Sequence, residues 1–243
     1  MIDKLNILFL FADQMHAFAM GCMGNSEIHT PNLDRMAEEG VLFRNTYSNA
    51  PVCSPFRATL VTGQYGSQTG TLRNSSYFPD GTRTVAGVLN NGGYRTGWVG
   101  KWHLGERSDD YAPNARGFDH FFGTITGAGS FYDPNTLTRE NERIELEDGQ
   151  EFFYTDAISD QAVEYIAEHK KEKTNTPFFA YVAYTSPHWP LHAHPEDIAR
   201  YKGRFDRGWD VLREERLERM VEMGLIDAKW KLTDRDPTQP PWG

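Results

Sequence analysis

Cysteine is nearly absent. The 243-residue chain has two, Cys22 and Cys53, too few for a disulfide-stapled framework. Long apolar runs are also missing. The longest, ILFLFA at 7–12, falls far short of the roughly 20 residues that a membrane-spanning helix needs. The flank before it, MIDKLN, is barely basic and no small-residue cleavage site follows, so it makes a poor signal peptide. The chain as it stands is therefore expected in the cytoplasm, or in the periplasm or outside the cell if a leader has been removed. Excess positive charge is lacking too: 25 Lys and Arg face 34 Asp and Glu, a net charge of −9. That balance argues against a general nucleic-acid binder, but it leaves room for a small cationic pocket. No internal repeat or low-complexity block occurs, which removes the solenoid classes.

What remains is an ordinary globular composition, 39% hydrophobic and 24% charged, long enough to bury a sizeable core. NILFLFA (6–12) reads as a central parallel strand buried on both faces, and PFFAYVAY (177–184) as a second buried strand. VLFRNTYS (41–48) and the glycine-broken YRTGWVGKWHLG (94–105) are further strand candidates. Helices are expected at 30–40, 54–63, 82–93, 155–173 and 206–225. Residues 106–150 read mostly as loops, with a hairpin near ERIELEDGQE (142–151). This alternation predicts an α/β fold, a mostly parallel central sheet flanked by helices. Ligands of such sheets collect beyond the carboxyl ends of the strands. Those ends carry Asp13, Gln14, Cys53, Lys101, His103 and His188.

Cys53 stands where an extended stretch turns into a helix starting at Ser54 or Pro55. Free N–H groups at that helix start favour an anion, and Arg57 lies one turn further on. Such a place suits a thiolate or a bound oxyanion.

CSPFRATLVTG (53–63) matches the sulfatase motif Cys-x-Pro-x-Arg, with Thr-Gly closing it. GYRTGWVGKWHLG (93–105) carries the second motif, Gly-Lys-Trp-His-Leu-Gly. NILFLFADQ resembles the family's first strand with its acidic metal-binding end, and SPHWPLHA (186–193) its later histidine loop. In order and spacing the chain resembles the N-terminal part of an arylsulfatase-like member of the alkaline phosphatase superfamily. The resemblance implies conversion of Cys53 to Cα-formylglycine by a maturation enzyme that reads the Cys, Pro and Arg. One hydroxyl of the hydrated aldehyde would attack sulfur; the other would let the sulfated intermediate collapse. It further implies one Ca²⁺ ion with Asp13, Gln14 and modified Cys53 as ligands. Arg57 would neutralise the ester, Lys101 bind a sulfate oxygen, His103 orient the diol, and His188 hold or protonate the bridging oxygen. The implied substrate is a small-molecule or carbohydrate sulfate ester.

Three ligands are few for calcium, which takes six to eight oxygens, and the Asp-Asn pair that supplies further ligands in the family does not occur here. Residues 1–243 are accordingly read as the N-terminal portion of a single sulfatase catalytic domain, with 226–243 an irregular tail and little turnover expected of them alone. The competing readings are a phosphonate or phosphate ester hydrolase on the same scaffold and a non-catalytic anion-binding remnant. A zinc cluster of His188, His192 and His194 has a spacing that matches no standard catalytic motif.

Overall fold

The computed structural model describes residues 4–105, 111–172 and 175–242. They divide into two compact units, residues 1–15 with 47–192 and residues 16–46 with 193–243.

The first unit holds a six-stranded sheet in the order β1-β6-β2-β3-β4-β5. The strands are β1 (Ile7–Ala12), β2 (Arg95–Gly100), β3 (His120–Thr124), β4 (Leu137–Arg139), β5 (Glu142–Arg143) and β6 (Phe178–Tyr184). The first four in that order run parallel, and β4 and β5 close the far edge antiparallel. The mostly parallel α/β sheet expected from the sequence is thus present.

The apolar run FFAYVAY lies inside the sheet because both of its faces are covered. Phe179 and Tyr181 face one way, with Trp98 and Phe121, toward Ala58, Val61 and Ala86. These alanines and valine come from helices α2 (Cys53–Thr62) and α4 (Val85–Asn91). The Trp98 indole stacks on Tyr181 with ring centroids 3.8 Å apart. Val182 faces the other way, with Val99 and Phe122, against Ile158 and Ala162 of α5 (Tyr154–Lys171). Ile158, Ala162, Tyr165 and His169 are buried at the helical spacing the sequence predicts. The short helix α3 (Gly66–Thr69) follows α2. Gly100 ends β2 with φ +111°, and a Cβ there would stand 2.0 Å from the Ala183 carbonyl oxygen. Only glycine fits that approach.

Several expectations need correction. β1 is an edge strand, hydrogen-bonded to β6 alone among the described strands; Leu8 and Leu10 stay 49% and 47% exposed. An apolar run alone does not distinguish an edge strand from a central one. Residues 41–48 form no strand, and Val41, Phe43 and Tyr47 are exposed. A strand needs a neighbour for its backbone N–H and C=O groups, and no described strand pairs with this segment. The hairpin falls earlier than expected, at β4 and β5, and β3 was not anticipated. Helix α2 starts at Cys53 itself, one residue early.

The second unit contains α1 (Pro31–Glu39), α6 (Pro195–Arg200) and α7 (Gly208–Glu222). Polar contacts link its two chain segments. Glu27 pairs with Arg204 at 3.4 Å and Arg207 at 3.2 Å, and Arg44 donates to the Met223 carbonyl at 3.1 Å. Met23 and Gly208 are its only buried residues among those described. The apolar stripe of α7, Leu212, Leu217, Met220 and Val221, is half-buried.

Ile158 is fully buried between α5 and the sheet. Ile158→Ala should cost about 2–5 kcal/mol, the usual range for such a cavity, read as a lower midpoint in urea unfolding. An unchanged midpoint would contradict this packing.

Candidate active site

Three neighbouring parallel strands deliver the site. Asp13 follows β1 directly, Lys101 follows β2 directly, and His188 lies four residues beyond β6. The first residue of α2, Cys53, stands among them. Its helix N-terminus carries a partial positive charge, although Pro55 has no N–H and the Phe56 N–H already meets the Val52 carbonyl at 3.0 Å. The Ser54 N–H is bonded by the side-chain oxygen of Asn74 at 3.0 Å, and the Ser54 hydroxyl donates to the His103 carbonyl at 2.9 Å.

Asp13 is the hub. Its Oδ2 takes the Lys101 ammonium at 2.5 Å and lies 3.3 Å from Arg57 Nη2. Lys101 also reaches Cys53 Sγ at 3.6 Å. Arg57 Nη1 donates to the Lys101 carbonyl at 2.6 Å, which ties the guanidinium to the backbone that carries Lys101. Lys101 and Arg57 are at most 1% exposed. Arg57 Nε and Nη2 have no hydrogen-bond acceptor. Two buried cations against one carboxylate leave a net charge of +1, with unspent donors on Arg57, one helical turn from Cys53.

Cys53 Sγ lies 4.0 Å from His188 Nε2. The other ring nitrogen of His188 contacts the Trp189 carbonyl at 2.5 Å. A carbonyl only accepts, so Nδ1 carries the proton. In the neutral ring Nε2 is then an acceptor facing Cys53, and in the charged ring a donor. Among the described residues, Asp13, Cys53 and His188 are the one group of three His, Cys, Asp or Glu side chains placed to share a metal ion, with ligand atoms all within 4.8 Å. His192 is turned elsewhere: its Nδ1 accepts from the Phe131 N–H at 3.2 Å and its ring meets Tyr132.

Burial would raise the Asp13 carboxyl, but Arg57 and Lys101 outweigh it and hold the pKa below its ordinary value. Burial, reinforced by Lys101 and Arg57, lowers His103 to about 4. His103 is therefore neutral at physiological pH. Its backbone is left-handed, with φ +56°, so Lys101 and His103 do not share the extended geometry expected for them. Gln14, exposed and at φ +60°, adjoins Asp13 in the chain.

Sequence reasoning passed over Ser54, Asn74 and Gly127. Ser54 is the variable position of its motif, and Asn74 is remote in sequence. Gly127 lies flat against the His103 ring: a Cβ there would come within 2.2–2.6 Å of three ring atoms. Its only signal was the short GAG stretch at 127–129. His120, the one histidine between His103 and α5, pairs with Glu140 at 2.7 Å and stacks on Tyr165.

A helix N-terminus at the carboxyl ends of a parallel sheet, with two buried cations near it, makes an α/β candidate site for an anion. The chain belongs to the sulfatase family, whose family model matches residues 5–233. It is 32% identical to an arylsulfatase of Klebsiella aerogenes over 92% of this chain and 52% of that protein. It is also 32% identical to an uncharacterized sulfatase of Schizosaccharomyces pombe, over 92% of this chain and 45% of that one. Among solved structures, Ps i-CgsB in complex with k-i-k-neocarrahexaose superposes with a TM-score of 0.74 at 30% identity, over 82% of this chain and 48% of that one. The structural neighbours place the sheet in the alkaline phosphatase-like fold. The chain spans about half the length of the curated relatives it matches.

Two outcomes follow from the His103 environment. Its ring signals should titrate near 4 by NMR, and Gly127→Ala should push the ring out and move that midpoint upward. A folded pKa of about 4 below the ordinary 6.5 means that the unfolded chain takes up the proton first. Stability from neutral His103 is thus complete above 6.5 and lost as pH falls toward 4. Urea midpoints should drop across that window, and less steeply in His103→Gln.

Proposed function

We propose that the protein hydrolyses sulfate monoesters of aryl or carbohydrate alcohols, with Cys53 converted to Cα-formylglycine and a hard divalent cation such as Ca²⁺ at Asp13, Gln14 and residue 53. The observation that carries this reading is the buried Arg57, one helical turn from Cys53, whose Nε and Nη2 have no hydrogen-bond acceptor. A sulfate group supplies the oxygens those donors need, and its charge answers the local +1. The names of the relatives agree: one matched structure is BT4656 with D-Glucosamine-2-N, 6-O-disulfate.

The donor set fits the cation conditionally. Lys101 and Arg57 both meet Asp13 at Oδ2. The Asp13 carboxylate and Gln14 amide are hard donors, whereas a Cys53 thiol is soft and a poor calcium ligand. An oxygen at residue 53 makes the set consistent. When bound, the ion would polarise a sulfate oxygen, and the hydrated aldehyde would supply the nucleophilic hydroxyl.

The rest falls to the chain's own residues. Arg57 and Lys101 bind sulfate oxygens and fix the sulfur above residue 53, acting as preorganised donors in a buried site. Asp13 holds Lys101 in place and keeps its charge compensated. His188, anchored through Nδ1, presents Nε2 to the reacting group and delivers a proton to the departing alcohol oxygen. Neutral His103 adds no positive charge and can accept a hydrogen bond from the nucleophile.

The test is peptide mass spectrometry of residue 53 from the native host, joined to rates on sulfate, phosphonate and phosphate esters that share one leaving group. An aldehyde at residue 53 and the fastest rate on sulfate are expected. An unmodified thiol, or a preference for phosphonate, would overturn the assignment. In matured protein Arg57→Ala should lower kcat by about 10²–10³-fold, the usual loss for one preorganised donor. A change in KM alone would contradict its role.

A further inference from the structure

A second recess lies at the opposite end of the sheet. β6 runs from Phe178, which lines the recess, toward the loop that carries His188. Seven strand residues at about 3.3 Å each separate the two places by roughly 20 Å. The recess has a volume of about 390 Å³, within the range of small-molecule pockets.

Its lining combines charge with an apolar wall. Lys4 and Lys170 bring two positive charges from different parts of the chain, and Ile166 and Phe178 supply apolar surface; the Lys4 ammonium also donates to the Gly92 carbonyl and lies 5.9 Å from the centre of the Tyr94 ring, so a ligand would share it. No carboxylate lines it among the described residues, although the chain as a whole is strongly acidic. Asn6 accepts from the Phe178 N–H at 3.0 Å through its oxygen, which leaves its amide N–H groups as donors.

The decisive residue is His169. It is only 7% exposed, lines the recess, and sets its ring edge-on to Phe178 at 5.3 Å. Its Nδ1 is buried with no hydrogen-bond partner. A buried polar atom left unpaired is costly, and an apolar side chain would pack against Phe178 without that cost. Basic residues do suit the last turn of a helix such as α5. That explains exposed Lys170, and a hydrogen bond to the Gly92 carbonyl accounts for where Lys4 lies, but neither accounts for the buried unpaired imidazole.

We propose that this recess binds a small phosphate or sulfate monoester, its oxyanion held by Lys4, Lys170 and the His169 ring and its organic group laid against Phe178. The inference does not rest on the sulfatase reading. Its ligand site is separated from Cys53 by the length of the sheet.

The experiment is an NMR titration of the full chain with phenyl phosphate, and separately with inorganic phosphate. The readout is the His169 ring signal, assigned by its loss in His169→Gln. A saturable shift of that signal is expected, with phenyl phosphate binding about tenfold tighter than inorganic phosphate through the burial of its ring. Lys4→Glu with Lys170→Glu alters exposed positions only. It should weaken binding by about tenfold or more, the value of one lost charge-assisted hydrogen bond. No saturable shift at His169, or unchanged affinity in the double variant, would overturn the site. Equal affinity for the two anions would overturn the monoester assignment.

Discussion

The buried carboxylate of Asp13 is the contact on which the site depends. Lys101 and Arg57 lie in the protein interior, where an unpaired charge is expensive. One carboxylate oxygen faces both of them. Without it, two bare cations would confront each other across the carboxyl ends of β1 and β2. With it, a single positive charge remains beside residue 53. The protein therefore carries a local positive charge that a bound anion would balance. The same field, together with burial, depresses the pKa of His103, so a ring that would ordinarily titrate near neutrality stays uncharged there.

The sheet makes this arrangement possible by separating packing from chemistry along each strand. Trp98 and Val99 take opposite faces of β2, as Tyr181 and Val182 do on β6. Both faces are thereby filled before the strands end. The polar groups come only afterwards, where the chains leave the sheet. Backbone bonds continue a little beyond the strands, with the Lys101 N–H on the Ala183 carbonyl and the Trp102 N–H on that of Thr124. These fix the loop that positions Lys101, so the reactive end inherits the rigidity of the core.

Much of the site was legible in sequence because its residues sit in short, dense motifs. Cys53 and Arg57 share one helix, and Lys101 and His103 one loop. The fold class followed from apolar runs that alternate with helical patterns. What stayed hidden depends on partners distant in sequence. ILFLFA looks the same in a central strand or an edge strand, because the difference is a neighbour that the run does not encode. VLFRNTYS has strand-like composition but finds no ladder. Asn74 and Gly127 reach the site through tertiary contacts, and a lone Asn or Gly carries no pattern. His103 itself was legible, but its left-handed backbone was not.

Gly100 separates two kinds of information within one motif. A side chain there would strike the Ala183 carbonyl, and a side chain at Gly123 would strike the carbonyl of Gly100 in turn. Three adjacent backbones therefore meet at a point with no room for a methyl group, whatever reaction occurs above it. Were the proposed catalysis lost altogether, a descendant of this chain would still be obliged to keep that glycine, while Lys101 and His103 became free to drift. Within Gly-Lys-Trp-His the first letter reports ancestry, and the second and fourth report whether the ancestral chemistry is still under selection.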